Sequence, residues 1–131
     1  MKVMIDLNVI LDITQKRTDF YRESADACNT LSARNGLVAA HLVTTAFYVM
    51  RRFGEKAQND TLDFILNNFT IVPCDKTILS TACTLGFADY EDAVVAAAAK
   101  KAKCAYIITR NKRDFANSPV PALTPGEFLT I

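Results

Sequence analysis

The sequence predicts an α/β fold, a three-layer α/β/α sandwich with a central parallel sheet. Three observations carry that prediction. Short apolar runs at residues 2–6, 37–40, 70–73 and 106–109 alternate with longer stretches of helical period, the order expected of strands joined by helical crossovers. The first run continues into VMIDLNVILD, apolar on both sides of a single acid, as a strand buried in a parallel sheet is. The chain has 131 residues, half of them hydrophobic, with no linker, repeat or low-complexity segment, so residues 1–131 form one domain.

The elements follow in order. Residues 2–6 read as a strand, and residues 7–15 as a helix with Val9, Ile10 and Ile13 at helical spacing. Residues 21–35 read as a second helix closed by Gly36, and residues 37–40 as the next strand. A helix over 44–53 stops near Gly54, and one over 55–67 places Leu62, Ile65, Leu66 and Phe69 on one face. Residues 70–73 form a third strand. Asp75 suits the N-cap of a helix over 75–85, and residues 90–101 make an alanine-rich helix whose basic end complements the macrodipole. Residues 106–109 give a fourth strand and 121–123 an edge strand; in TPGEFL, Thr124 is an N-cap and Pro125 the first helical residue.

Composition narrows the function. A formal net charge of +1 rules out an electrostatic argument from the whole chain, so any such argument is local. The four cysteines form no CxxC pair and read as reduced core residues. No signal-peptide pattern or membrane-length apolar run is present, which predicts a soluble, cytoplasmic protein. A single histidine, His41, excludes His-rich zinc sites and reads as a partly buried, satisfied imidazole at a strand end. The four glycines form no phosphate-cradling loop, and DLN at the first strand end lacks the paired acids of phosphate-accepting α/β domains.

Chemistry therefore falls to carboxylates. In open parallel sheets the ligand crevice lies beyond the carboxyl ends of the strands. Asp6 stands there on the first strand, Asp89, Glu91 and Asp92 open the alanine-rich helix in ADYEDAV, and Thr109, Asn111 and Asp114 follow the fourth strand in IITRNKRDF. Acids gathered from separate elements repel one another unless a hard divalent cation with oxygen ligands, Mg²⁺ or Mn²⁺, is bound. Such an ion suits phosphodiester hydrolysis. Lys100, Lys101, Lys103, Arg110, Lys112 and Arg113 put six of the fifteen basic residues beside these acids, where they suit an RNA or DNA backbone.

VMIDLNVILD, DYEDAVVAAAAKKAKCAYIITRNKRDF and SPVPALTPGEFL together resemble the PIN-domain family, whose small members include VapC-type toxin ribonucleases. The resemblance spans nearly the whole chain. It implies a parallel sheet flanked by helices and an acid cluster that binds Mg²⁺ or Mn²⁺ for endonucleolytic RNA cleavage. It further implies an antitoxin protein as partner and a homodimer. By position Asp6 matches the family's first acid, Asp92 the acid before Ala at the helix start, and Asn111 with Asp114 the TRN..DF segment. The family usually carries a Glu on the helix after the second strand; here that stretch reads HLVTTAFYVMRRF, with Thr45 near the position and no acid. The acids present suit one hydrated ion rather than a tightly bound pair.

On this reading Asp6, Asp92 and Asp114 are catalytic and hold the metal, with Asp114 positioning the ion or its water. Asn8, Thr109, Asn111, Asp89 and Glu91 support them, and Arg110, Lys112 and Arg113 contact RNA. Plainer roles stand beside these. Asp6 also suits an N-cap, Asp89 a cap with Asp92 in a capping-box relation, and Asn8, Thr109 and Asn111 the shaping of loops. Asp12 and Arg17 read as a surface pair, or Arg17 as a phosphate contact. The alternative function is a PIN-like domain that binds RNA or a protein without cutting it.

Overall fold

The computed structural model describes all residues, 1–131. Five strands form one parallel sheet in the order β3-β2-β1-β4-β5. They are β1 (Val3–Ile5), β2 (Gly36–Ala39), β3 (Thr70–Val72), β4 (Tyr106–Ile108) and β5 (Ala122–Leu123). The helices are α1 (Leu7–Thr14), α2 (Tyr21–Asn29), α3 (Ala40–Val49), α4 (Glu55–Asn68), α5 (Lys76–Ala82), α6 (Tyr90–Lys101) and α7 (Pro125–Phe128). The predicted three-layer parallel sandwich is the fold observed.

The central strand β1 pairs with β2 on one side and β4 on the other. The chain winds outward from β1 through β2 to β3, then crosses back to β4, so the strand order reverses between β1 and β4. Diverging loops open a crevice at such a switch point. Val3, Met4 and Ile5, with Ile107 and Ile108 of β4, are wholly buried. Against them lies α6, whose residues 93–99 are all buried alanines and valines. Small side chains let this helix sit close to β1, β2 and β4, which fixes its N-terminal acids over the strand ends. No helix is long and apolar enough to cross a membrane.

Several local expectations change. Helix α2 ends at Asn29, where Thr30 Oγ1 bonds back to Ala27 O at 2.7 Å and the chain turns through Ser32. Gly36 is no helix stop; it opens β2, where a Cβ would meet Phe69 Cδ1 at 3.1 Å. Helix α3 starts directly from β2 at Ala40, so His41 lies in its first turn rather than at a strand end, and the 3-10 turn Met50–Phe53 tightens its far end. Leu66 faces solvent, and α4 buries Thr61 and Ile65 instead. Helix α5 is shorter than expected, although Asp75 caps it through Ile78 N. The free cysteines are not uniformly internal: Cys83 is exposed, Cys104 buried and the other two intermediate. Helix α6 and the Thr124 N-cap before Pro125 agree with the sequence reading, and Glu127 completes a capping box with Thr124.

Candidate active site

At the switch point Asp6 follows β1 and is 6% exposed. Its Oδ1 accepts from Leu7 N at 2.8 Å, making it the N-cap of α1, and its Oδ2 accepts from Thr109 Oγ1 at 2.8 Å. The capping and site readings of Asp6 are therefore compatible: one carboxylate closes the helix and stands on the cleft. Thr109 is wholly buried and also takes a bond from Asn111 N at 3.1 Å and one from Asn8 Nδ2 at 3.4 Å. Asn8 Oδ1 accepts from Arg110 N at 3.2 Å. Asn8 and Thr109 thus tie the loop after β4 to the loop after β1 and hold Asp6 in one orientation.

Replacing Thr109 by Val, which keeps the shape, removes the only donor to Asp6 Oδ2. Leaving that buried oxygen unsatisfied costs about 1–3 kcal/mol. The expected result is a lower urea midpoint at unchanged m-value, and an unchanged midpoint would contradict this role for the hydroxyl.

Asp89 N-caps α6, accepting from Glu91 N at 2.8 Å and Asp92 N at 3.3 Å through Oδ1. That use frees the Asp92 carboxylate, which makes no hydrogen bond of its own and lines a cleft of about 260 Å³ with Asp6, Asn8, Glu91, Asn111 and Asp114. Asp114 reaches it from the 3-10 turn Lys112–Phe115.

Burial pushes the Asp92 carboxyl up to about 7, and the charges of Asp6, Asp89, Asp114 and Glu91 push the same way. Burial also raises Asp6, with the Thr109 and Leu7 bonds opposing and Glu91 and Asp114 adding to the rise. Carboxyls held above their ordinary range by dehydration and like charge are the environment that a hard cation relieves. No three of the acids lie close enough to grip one ion directly, so the donor set fits a cation held by one or two carboxylates and its own water.

The sign of the pH effect follows. The folded Asp92 carboxyl titrates near 7 against an ordinary 3.8, so between those values the folded state binds more protons than the unfolded state. Stability of the metal-free protein is expected to fall as pH rises through that window. Because an ion must displace the proton, Mn²⁺ affinity is expected to rise over the same range. Melting curves and Mn²⁺ titrations from pH 4.5 to about 8 would show both trends, and flat profiles would contradict them.

The basic residues are arranged differently from expectation. Helix α6 runs away from the cleft, carrying Lys100 and Lys101 about 15 Å toward the amino ends of the strands, with Lys103 just beyond. The run does not flank the site as a unit. Arg110 turns inward: its Nε lies 2.9 Å from Asp12 Oδ2 and its guanidinium carbon 4.2 Å from the centre of the Phe20 ring. Lys112 pairs with Glu127 at 3.0 Å on the surface, and Arg113 is exposed.

Asp12 is not a surface residue. It is fully buried, with Arg17 Nη1 at 3.3 Å from Oδ1 and Ser24 Oγ donating to Oδ2 at 2.8 Å. Sequence reading found the Asp12–Arg17 pair but neither its burial nor the roles of Ser24 and Arg110, since Arg110 joins from the far end of the chain. His41 is held as expected, with Nε2 3.0 Å from Glu91 O and Nδ1 3.5 Å from Cys74 Sγ. Thr45 Oγ1 donates to Glu91 Oε2 at 3.0 Å, a contact that no local spacing signals.

Fold and cleft together define the class: a parallel α/β domain whose acids gather over its switch point. The family model described as PIN domain matches residues 2–113. The chain is 31% identical over 134 residues to a protein named Ribonuclease VapC1 from Aquifex aeolicus (strain VF5), covering 97% of this chain and 92% of that one. Among solved structures, a toxin–antitoxin complex from Klebsiella pneumoniae aligns with a TM-score of 0.76 at 21% identity, covering 95% of this chain and 98% of that one. A DNA-bound VapBC from Salmonella typhimurium aligns with a TM-score of 0.77 at 12% identity, again covering 95% and 98%. At those identities the structural likeness speaks for the fold. The chain belongs to the PIN-domain family, whose ribonucleases generally use a divalent metal.

Proposed function

We propose that this protein is a Mg²⁺- or Mn²⁺-dependent endoribonuclease, the toxin of a toxin–antitoxin pair. The observation that carries the reading is the convergence of Asp6 and Asp92 in one cleft, both carboxyls raised by burial with like charges adding to the rise. Similarity to a relative named as a ribonuclease supports the reaction, and likeness to a toxin–antitoxin complex supports the partner.

Asp6 and Asp92 would hold the ion, with Asp114 at the rim orienting it or its water. When bound, the ion would shield the phosphate and make a water acidic enough to attack it. Thr109 and Leu7 N fix Asp6, so that carboxylate needs no reorganisation on binding. Asp89 holds the first turn of α6 and thereby sets the position of Asp92. Asn111 lines the cleft beside them. Arg113 and Lys112 share the 3-10 turn of Asp114 and would meet the phosphate backbone from it, and Arg110 braces the loop that carries them through Asp12. The exposed Phe47, Tyr48 and Phe53 give an antitoxin or a second copy of the chain apolar surface to cover.

The test is incubation of a mixed single-stranded RNA with the purified protein in Mn²⁺, in Mg²⁺ and in EDTA. Cleavage in either metal and none in EDTA is expected. RNA bound in EDTA but left intact in both metals would replace this reading with a non-cutting RNA-binding domain.

A further inference from the structure

Glu91 is the one acid of the cleft gripped by a separate helix. Thr45 Oγ1 donates to its Oε2 at 3.0 Å, and His41 Nε2 lies 3.0 Å from its backbone carbonyl. A carbonyl oxygen only accepts, so His41 donates through Nε2. His41 and Thr45 are four residues apart, on one face of α3, and both reach the first turn of α6. Thr45 Oγ1 also lies 3.3 Å from His41 O, but a hydroxyl has one proton, and a carboxylate is the stronger acceptor. Meanwhile Glu91 Oε1 makes no hydrogen bond within the chain and the residue lines the cleft. A glutamate serving only to complement the helix dipole needs none of this clamping.

We propose that Glu91 supplies the acid on the α3 side of the cation site, and that Thr45 is its positioning residue. The helix after β2 thus contributes through a hydroxyl that aims a carboxylate from α6, where it has no acid of its own. Glu91 acts on the ion through Oε1 by way of the ion's water, while Oε2 stays bonded to Thr45. The inference rests on the cleft being a divalent-ion site.

Mn²⁺ binding, measured by calorimetry without RNA, tests it. Glu91→Gln is expected to weaken binding about 10- to 100-fold, the range seen when a metal site loses a supporting partner. Thr45→Val is expected to weaken it roughly fivefold, whereas Thr45→Ser, which keeps the hydroxyl, stays near wild type. Glu91→Gln binding as wild type does, while Asp92→Asn has lost affinity, would overturn the inference and leave the proposed function standing. Thr45→Val matching Thr45→Ser would overturn the positioning role. A wild-type protein that binds no Mn²⁺ would overturn both the inference and the metal-dependent reading beneath it.

Discussion

Replacing Asp92 by Asn is expected to abolish RNA cleavage and, in metal-free protein above neutral pH, to raise the melting temperature. Both effects have one cause. The carboxylate is partly dehydrated and surrounded by Asp6, Asp89, Asp114 and Glu91, so its charge is costly until a cation arrives. Asn keeps the shape and removes the charge, relieving repulsion in the metal-free cleft while removing a proposed ligand of the ion. The stability gain should be absent well below pH 3.8, where the acid is protonated in both states, and should open up as pH rises from there to about 7. The loss of activity should be at least about 100-fold, the upper end of the cost of losing even an outer partner of a metal. A destabilised variant would instead show Asp92 to be a structural residue.

The second large effect is expected at Asp12, which does not line the cleft although its partner Arg17 does. Asp12→Ala leaves Arg17, Arg110 and Ser24 facing a buried hole where one carboxylate had served all three. Breaking a buried ion pair by removing one partner typically costs 3–5 kcal/mol. The two arginine side chains keep 33% and 23% of their exposure and can recover some hydration, so about 3 kcal/mol is expected. For a domain of this size that is roughly 10 °C in melting temperature. Because Arg110 begins the loop carrying Asn111 and Asp114, activity should fall with stability. An Asp12→Ala protein melting within about 2 °C of wild type would show the cluster to be energetically neutral.

Much of the fold was legible because its signals are local. Asp89 announces α6, an alanine run continues it and two lysines end it, so its residues agree with the sequence reading throughout. The buried run at β1 and the Thr124–Pro125 start of α7 are equally self-contained. The misplacements fall where tertiary contact overrode local preference. Gly36 reads as a helix stop, but its small size serves the packing of Phe69 against β2. Leu66 shares the period of α4 without sharing its buried face.

The gathering of Asp6, Asp92 and Asp114 in one cleft was also legible, since strand ends and helix starts can be found from the sequence. What joins them was not. Thr109 bonds Asp6 across 103 residues, Thr45 bonds Glu91 across 46, and Arg110 pairs with Asp12 across the switch point. No spacing rule encodes such pairs, and the basic run from 100 to 113 misleads for the same reason. It is continuous in sequence, yet β4 runs between its two halves and sets them at opposite ends of the strands.

The most direct test is the cleavage of one end-labelled single-stranded RNA by wild type and by Asp92→Asn, each in Mn²⁺ and in EDTA, with the fold of both proteins verified by circular dichroism. The wild type is expected to cut only with Mn²⁺, and a fully folded Asp92→Asn protein to leave the RNA intact. Cleavage by the variant at the wild-type rate, or cleavage by either protein in EDTA, would contradict a metal-dependent active site in this cleft.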